Sequence, residues 1–277
     1  MPVTADYHVH SSNSGDSDTP MEKQVLAAIN AGIRTLCITE HLDFDFPYEN
    51  TPDLPEGCFD LDSGAYRREY LELKERYADR IRLLYGVELG LQPHLVPVLE
   101  QHVAAHPEYD FIIGSTHVVD RMDPYYPVYF EGRTKEAAIR RYFEIMLENI
   151  RAFHDFDTCG HLDYIVRYAP GGEQDFTKDR YLDAVDPVLR TLISFDIALE
   201  VNTSALPADG QHTRLNPCEW ILRRYRELGG QRITIGSDAH RPDRVAFGFQ
   251  GLCPFLKSLG FTSYEVFEGR MPTSVPL

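Results

Sequence analysis

Short apolar runs alternate with longer amphipathic runs along this chain. The short runs are rich in Val, Ile and Leu, as expected for strands that are buried on both faces of a parallel sheet. The predicted strands are Val3–Val9, Arg34–Thr39, Arg82–Leu89, Asp110–Gly114, Asp157–Leu162, Asp196–Asn202 and Arg232–Ser237. The longer runs repeat at helical spacing and predict helices at Met21–Ala31, Ala65–Ala78, Pro93–Ala105, Lys135–Phe153, Asp179–Ile193 and Pro217–Leu228.

This alternation of strand and helix predicts an α/β fold with parallel strands joined by right-handed crossovers. Seven such units favour a closed TIM-like (β/α)7 barrel. An open doubly wound sheet is the alternative, but no Gly-x-Gly-x-x-Gly follows the first strand. Because the sequence shows no repeat or linker, we expect a single domain over residues 1–277. The long loops Leu42–Ser63 and Val118–Arg133 follow strands and are expected at the active-site face.

Composition and charge narrow the possible partners. The chain is 43% hydrophobic and 25% charged, which is ordinary for a globular protein. Its formal net charge of −16 disfavours nucleic acid as a partner. No run approaches the roughly 20 apolar residues of a membrane span, and the amino terminus does not resemble a signal peptide. We therefore expect a cytoplasmic protein with no membrane partner, whose oligomeric state the sequence does not indicate.

Histidines and acids gather at the ends of the predicted strands. The six histidines found there, out of eleven in the chain, are His8, His10, His41, His117, His161 and His240. Glu88 ends an apolar strand, and Asp238 stands two residues before His240. Any one of these residues can be a satisfied core residue, but buried together without water they need metal ions or hydrogen bonds. Imidazole and carboxylate ligands together suit Zn, Fe or Mn, so the sequence predicts a metal centre.

The motifs around these residues resemble those of the polymerase-and-histidinol-phosphatase (PHP) superfamily. They are Asp6-Tyr7-His8-Val9-His10, Thr39-Glu40-His41, Gly86-Val87-Glu88, Gly114-Ser115-Thr116-His117, Gly160-His161-Leu162-Asp163 and Gly236-Ser237-Asp238-Ala239-His240. The resemblance implies a distorted PHP-type barrel and a metal-dependent phosphatase. Within the superfamily, the chain is most similar to stand-alone phosphatases that convert L-histidinol phosphate to L-histidinol and phosphate.

The resemblance also implies two to three bound metal ions. The first would be held by His8, His10, Glu88 and Asp238, and Glu88 would bridge to a second held by His117 and His161. A third would be held by His41, His240 and Asp16, where many relatives have a histidine in place of Asp16. The residues expected in catalysis are Asp238, His240 and Arg167, and either Asp238 or a water on the third ion is expected to give a proton to the leaving alkoxide.

Substrate recognition follows the resemblance less closely. Arg167 stands where the family grips phosphate, although a place on a helix surface is the alternative. Asn202 is expected to bind substrate, but the basic residue that commonly follows the Asn202-Thr203-Ser204 segment is absent. Arg214 is the candidate to replace it. Asp43 and Asp45 are expected to pair with the cationic end of the substrate, unless their loop simply packs on the barrel.

Four other functions compete with this interpretation. The protein can be a PHP phosphatase for another phosphate monoester or nucleotide, which a substrate panel would distinguish. A nuclease is disfavoured by the negative charge. An amidohydrolase usually bridges its metals through a modified lysine, and none of the predicted strand ends offers a lysine. A metal-binding protein without catalysis is the alternative from a different class, and metal-dependent turnover would exclude it.

Overall fold

The structure is a computed structural model that describes residues 3–206 and 215–277. Its strands are β1 (Ala5–Asp6), β2 (Thr35–Leu42), β3 (Arg82–Gly90), β4 (Phe111–Ser115), β5 (Thr158–Cys159), β6 (Ala198–Asn202) and β7 (Ile233–Gly236). These seven strands lie side by side in chain order, and each pairs in parallel with the next. The predicted parallel α/β arrangement is therefore confirmed.

Backbone hydrogen bonds join the first and last strand segments and close the barrel. They run from Tyr7 N to Ile235 O (3.0 Å), from Asp238 N to His8 O (2.7 Å) and from His10 N to Ala239 O (3.0 Å). Beyond Asp6 the first segment is irregular and only an isolated bridge, Val9 to Ala239, continues the pairing. This irregular closure agrees with the distorted (β/α)7 barrel expected from the sequence.

Helices alternate with the strands and pack around the barrel. They are α1 (Met21–Asn30), α2 (Ser63–Arg76), α3 (Val96–Ala105), α4 (Lys135–Ala152), α5 (Tyr164–Tyr168), α6 (Lys178–Ser194), α7 (Glu219–Glu227) and α8 (Leu252–Ser258). Side-chain caps define two of their starts: Asp62 accepts from Ala65 N at 2.8 Å, and Thr134 accepts from Ala137 N at 3.2 Å. The short helix α5 was not predicted. Within the described ranges, no helix has the length and apolar character needed to cross a lipid bilayer.

A β-hairpin covers the end of the barrel where the strands begin. Its strands, β8 (Ser263–Glu268) and β9 (Met271–Pro276), pair antiparallel. Tyr7 donates its hydroxyl hydrogen to the carbonyl oxygen of Phe267 at 2.7 Å, and the ring of Phe267 packs 5.1 Å from that of Phe111 at the start of β4. The hairpin thus leaves the opposite end of the barrel, where the strands finish, for the functional site.

Candidate metal centre

Glu88, near the end of β3, lies fully buried between two pairs of histidines. Its Oε2 atom is 3.0 Å from His8 Nε2 and 3.4 Å from His10 Nε2. Its Oε1 atom is 3.0 Å from His161 Nε2 and 3.2 Å from His117 Nε2. Each oxygen therefore serves one pair, which is the arrangement required of a carboxylate that bridges two metal ions.

A third group of ligand-type residues lies beside this one. Asp16 Oδ2 is 3.0 Å from His240 Nε2 and 3.5 Å from His41 Nε2. The ring of His10 stacks between the rings of His41 and His240, with centroids 4.1 and 4.3 Å away. His41 Nδ1 is also 3.1 Å from Glu88 Oε2, so this histidine reaches both groups.

Asp238 follows β7 and presents one oxygen to the histidines. Its backbone adopts a φ of +53°, a left-handed conformation uncommon for a residue other than glycine. Its Oδ1 atom is 3.8 Å from His8 Nε2 and 3.6 Å from His240 Nδ1, and its Oδ2 atom accepts hydrogen bonds from Asn202 and Ser204. Burial opposes the charge on Asp238, yet the neighbouring histidines, His8 first, hold the pKa of this carboxyl below its usual value.

The donor atoms of these groups fit metal ions. Three buried ring nitrogens lie close to carboxylate oxygens but do not have the geometry of a hydrogen bond. The distances are 3.4 Å from His10 Nε2 to Glu88, 3.1 Å from His41 Nδ1 to Glu88 and 3.0 Å from His240 Nε2 to Asp16. Nitrogen and oxygen atoms that point toward one place without forming hydrogen bonds to each other have the arrangement of ligands around a cation. The donor atoms form three overlapping groups, each within 4.8 Å: His10–His41–His240, His8–His10–Glu88 and His41–Glu88–His117.

Glu200 supports this centre and was not identified from the sequence. It lies buried in β6, where its Oε1 atom is 2.5 Å from His8 Nδ1 and its Oε2 atom accepts from the backbone N–H of His161 at 2.7 Å. Such a carboxylate fixes the orientation of a ligand ring. Burial disfavours protonated His8, but the charges of Glu200 and Glu88 raise its pKa well above the usual value. An acid inside an apolar strand was the available signal, as it was for Glu88.

Gly236 makes room for the contact between Glu200 and His8. A Cβ atom at this position would lie 2.4 Å from the Cβ atom of His8 and 2.5 Å from Oε1 of Glu200. Neither atom can move without displacing the ligand ring, so no other residue fits here. The glycine of the Gly236-Ser237-Asp238 motif is therefore needed for packing beneath the metal centre.

The two acids of the loop after β2 point in different directions. Asp43 lines the site, but its Oδ1 atom is 2.8 Å from His117 Nδ1, so it orients a ligand-type histidine. Asp45 is half exposed and lies 2.9 Å from both His94 Nε2 and Arg121 Nη1. Asp45 is therefore not among the described residues that line the cavity, and its contact with substrate stays a prediction. A φ of +52° at Asp45 turns the chain and directs its side chain to the surface.

A cavity of about 500 Å³ opens above the ligand-type residues. Both long loops contribute to its wall, as predicted, through residues such as Phe59 and Tyr125. Arg167, on α5, is the one arginine or lysine among the described residues that line it. Its Nη2 atom donates to Ser204 Oγ at 2.7 Å, whereas its buried Nε atom has no hydrogen-bond partner within the described ranges. This geometry favours the phosphate-binding interpretation over a place on the helix surface.

Asn202, which was predicted to bind substrate, is not among the described residues that line the cavity. Asn202 is buried, and its amide donates to Glu200 and Asp238 while its oxygen accepts from Ser204. Both ends of its amide are engaged, so it positions Asp238, and its contact with substrate stays a prediction. Arg214 lies outside the described residues.

Comparisons with known proteins agree with this geometry. The model of the PHP domain family matches residues 6–204. The histidinol-phosphatase of Lactococcus lactis subsp. lactis (strain IL1403) is 30% identical over 95% of this chain and 94% of its own length. The "probable histidinol-phosphatase" of Clostridium acetobutylicum is 32% identical over 88% of this chain and 89% of its own.

Solved structures show the same fold. The crystal structure of the Lactococcus lactis histidinol phosphate phosphatase, complexed with zinc, L-histidinol and phosphate, matches with a TM-score of 0.85 at 30% identity and covers 98% of both chains. A structure from Listeria monocytogenes, 20% identical, shows the same barrel with a TM-score of 0.75 over 90% of this chain and 100% of its own. The strand ends of the barrel bring these histidines and acids together, and the family model matches most of the chain. This protein therefore belongs to the PHP domain family.

Proposed function

We propose that this protein is a metal-dependent phosphatase that hydrolyses L-histidinol phosphate to L-histidinol and phosphate. The observation that carries the proposal is the position of Glu88, which faces two histidine pairs directly beneath a cavity that contains Arg167. The Lactococcus lactis phosphatase, whose structure holds zinc, L-histidinol and phosphate, supports it through 30% identity over 98% of this chain.

The ligand-type residues would hold two to three ions of Zn, Fe or Mn. His8, His10, Glu88 and Asp238 would hold the first, Glu88 with His117 and His161 the second, and Asp16, His41 and His240 the third. When bound, such ions would supply a water that loses a proton near neutral pH and can then attack phosphorus, together with positive charge that offsets the negative charge of the phosphate. This local charge lets a protein of net charge −16 bind an anion.

Arg167 binds and orients the phosphoryl group. Its guanidinium is presented to the cavity by α5, and its Nη2 atom currently donates to the neutral hydroxyl of Ser204. A phosphoryl oxygen is a stronger acceptor than a hydroxyl, because a charge-assisted hydrogen bond is about twice as strong as a neutral one. As negative charge develops on the equatorial oxygens, Arg167 stabilises the transition state more than the bound substrate.

Asp238, as an ionised carboxylate, would accept the proton released by the attacking water and pass it to the leaving alkoxide. Its carboxylate lines the cavity, and Asn202 and Ser204 hold its Oδ2 atom in place. His240 also lines the cavity, with its Nδ1 atom 3.6 Å from Oδ1 of Asp238. The aromatic wall above them, which includes Phe46 and Phe59, covers the organic part of the substrate and excludes water during transfer.

The test is an initial-rate assay of the metal-reconstituted protein on a panel of phosphate monoesters that includes L-histidinol phosphate, a nucleoside monophosphate, a sugar phosphate and an aryl phosphate. We expect the highest kcat/KM for L-histidinol phosphate and loss of all turnover after chelation. Glu88→Gln protein purified in parallel reports any contaminating phosphatase. A preference of about tenfold or more for another monoester, a difference of about 1.4 kcal/mol, would refute the proposed substrate.

A further inference from the structure

Asp123 is a buried carboxylate in the catalytic cavity that has no positively charged partner among the described residues. It belongs to the loop after β4, is only 8% exposed and lines the cavity. Its Oδ1 atom accepts hydrogen bonds from Tyr125 N at 2.8 Å and from the Tyr164 hydroxyl at 3.2 Å. Within residues 3–206 and 215–277, its Oδ2 atom has no hydrogen-bond partner, and Asp123 forms no ion pair.

Two other loop acids of the cavity wall, Asp43 and Asp53, do not combine burial with the lack of a charged partner. Asp43 pairs with His117 at 2.8 Å, and the exposed Asp53 accepts from the Tyr126 hydroxyl at 2.7 Å. Burial raises the pKa of Asp123 to about 6, against the lowering effect of the Tyr125 N–H. A buried charge without a partner is unfavourable, and a cation that enters the cavity would relieve this cost.

Tyrosine rings surround this carboxylate and separate it from the metal centre. Tyr164, which donates to Asp123, packs with its ring 5.1 Å from that of His161 and 4.9 Å from that of Tyr168. Tyr168 also packs 4.9 Å from Tyr125, and its hydroxyl is 3.5 Å from Arg167 Nη1. The cavity therefore holds Arg167 and a negative group, Asp123, on either side of Tyr164 and Tyr168.

We propose that Asp123 binds the amino group of the substrate's alcohol portion, so that the ammonium donates a hydrogen bond to Oδ2. The inference rests on the proposed function. L-Histidinol phosphate is an anion at its phosphate and a cation at the amino group on the adjacent carbon. Arg167 and the metal centre attract the phosphate, while Asp123 attracts the ammonium group and repels the phosphate. The tyrosine faces add a favourable surface for the cation and the imidazole.

The test compares L-histidinol phosphate with the imidazolylpropyl phosphate that lacks the amino group. On the wild-type protein, the amino group should raise kcat/KM by about tenfold or more, the effect expected of a charge-assisted hydrogen bond. Asp123→Asn keeps the acceptor for the Tyr125 N–H and removes the charge. This variant should hydrolyse the two imidazole substrates within about threefold of each other, chiefly through a raised KM for L-histidinol phosphate.

Three controls separate recognition from a structural role. Phenyl phosphate turnover and metal content should stay close to wild type in Asp123→Asn. Asp60→Asn, which removes the same charge from an exposed position, should retain the amino-group preference. Asp123→Glu, which restores the charge, should recover part of it.

The proposal is overturned if Asp123→Asn keeps the wild-type preference, or if it loses turnover of all three substrates equally while Asp123→Glu recovers none of the preference. It is also overturned if the wild-type protein hydrolyses both imidazole substrates alike. A wild-type protein that hydrolyses phenyl phosphate but not L-histidinol phosphate would instead refute the proposed function, and the amino-group site with it.

Discussion

The two ends of the barrel are built from opposite kinds of side chain. Where the strands finish, buried histidines and acids converge on Glu88 with several ring nitrogens unpaired. Where the strands begin, the β8–β9 hairpin packs Phe267 against Phe111 and pairs its backbone with the hydroxyl of Tyr7. The buried charges of the polar end favour the binding of cations, whereas the other end is stabilised mainly by apolar burial.

This difference separates stability from chemistry within single strands. In β3, Leu83 and Leu84 lie in the barrel core near the start of the strand, and Glu88 lies among the metal-ligand candidates near its end. Substitutions where the strands finish should therefore affect turnover and metal content, and substitutions where the strands begin should affect the free energy of unfolding.

Glu88→Gln should produce the largest effect. The amide removes the negative charge that both histidine pairs share, so we expect turnover to fall by about 10³-fold or more and bound metal to fall by two ions per chain. Elemental analysis and initial rates measure both. Glu227→Gln, an exposed change on α7, should alter neither. Full metal content and normal turnover in Glu88→Gln would refute the bridging assignment.

Arg167→Ala should affect turnover without affecting metal. Loss of the Arg167 guanidinium from the cavity should lower kcat/KM for a monoester by about 10²-fold, roughly 3 kcal/mol, because a transition-state contact is lost. Metal content should be unchanged. Arg76→Ala, at an exposed position on α2, serves as the control. A loss below about threefold would show that Arg167 does not contact the transferred phosphoryl group.

Phe267→Ala should affect the opposite end alone. The ring is 3% exposed, and its removal should lower the free energy of unfolding by about 3 kcal/mol, as is usual for a buried phenylalanine. Below the unfolding transition, kcat and metal content should match the wild-type protein. Met271→Ala, which is 71% exposed, should change stability little. If Phe267→Ala lost metal in its folded state, the two ends would not be independent.

The same substitution at two neighbouring acids should give the smallest effects and should distinguish them. Asp43→Asn weakens the hold on His117 and should lower metal affinity by about tenfold or more, as loss of a ligand's supporting carboxylate usually does. Asp45→Asn breaks only surface ion pairs with His94 and Arg121, which solvent screens, and should leave turnover within about twofold. Metal titrations on both variants measure this. Equal losses of metal affinity in the two variants would indicate that Asp45 belongs to the functional site.

The sequence predicted the barrel and the ligand-type residues because both depend on short-range pattern. Strands buried on both faces appear as apolar runs, and polar residues at their ends interrupt those runs at a fixed place. The hairpin was missed because β9 carries Pro272 and Pro276 and is largely exposed, so it lacks the pattern of a core strand. Proline is tolerated there because a hairpin strand has a free edge.

Side-chain direction could not be predicted where the backbone departs from regular geometry. Asp45 was expected to pair with the substrate because it shares a loop with Asp43, but a positive φ at Asp45 directs its side chain to the surface. Asn202 ends β6 as expected, yet its amide is consumed by Glu200 and Asp238. Both outcomes depend on contacts between residues far apart in sequence, those of Asp45 with His94 and Arg121 and that of Asn202 with Asp238, which local pattern does not contain.

Closure of the barrel between its first and last strands has a consequence for how the protein folds. The Ser237 N–H donates to the carboxylate of Asp6 across 231 positions of the chain, and His8 meets Asp238 at the same seam. Contacts of such high sequence separation form slowly, because the cost in chain entropy precedes the gain. During synthesis, Glu88 and its histidines are complete long before Asp238 and His240 emerge from the ribosome. The metal centre is therefore completed last, because it requires β7 to pair with the first strand segment of the chain.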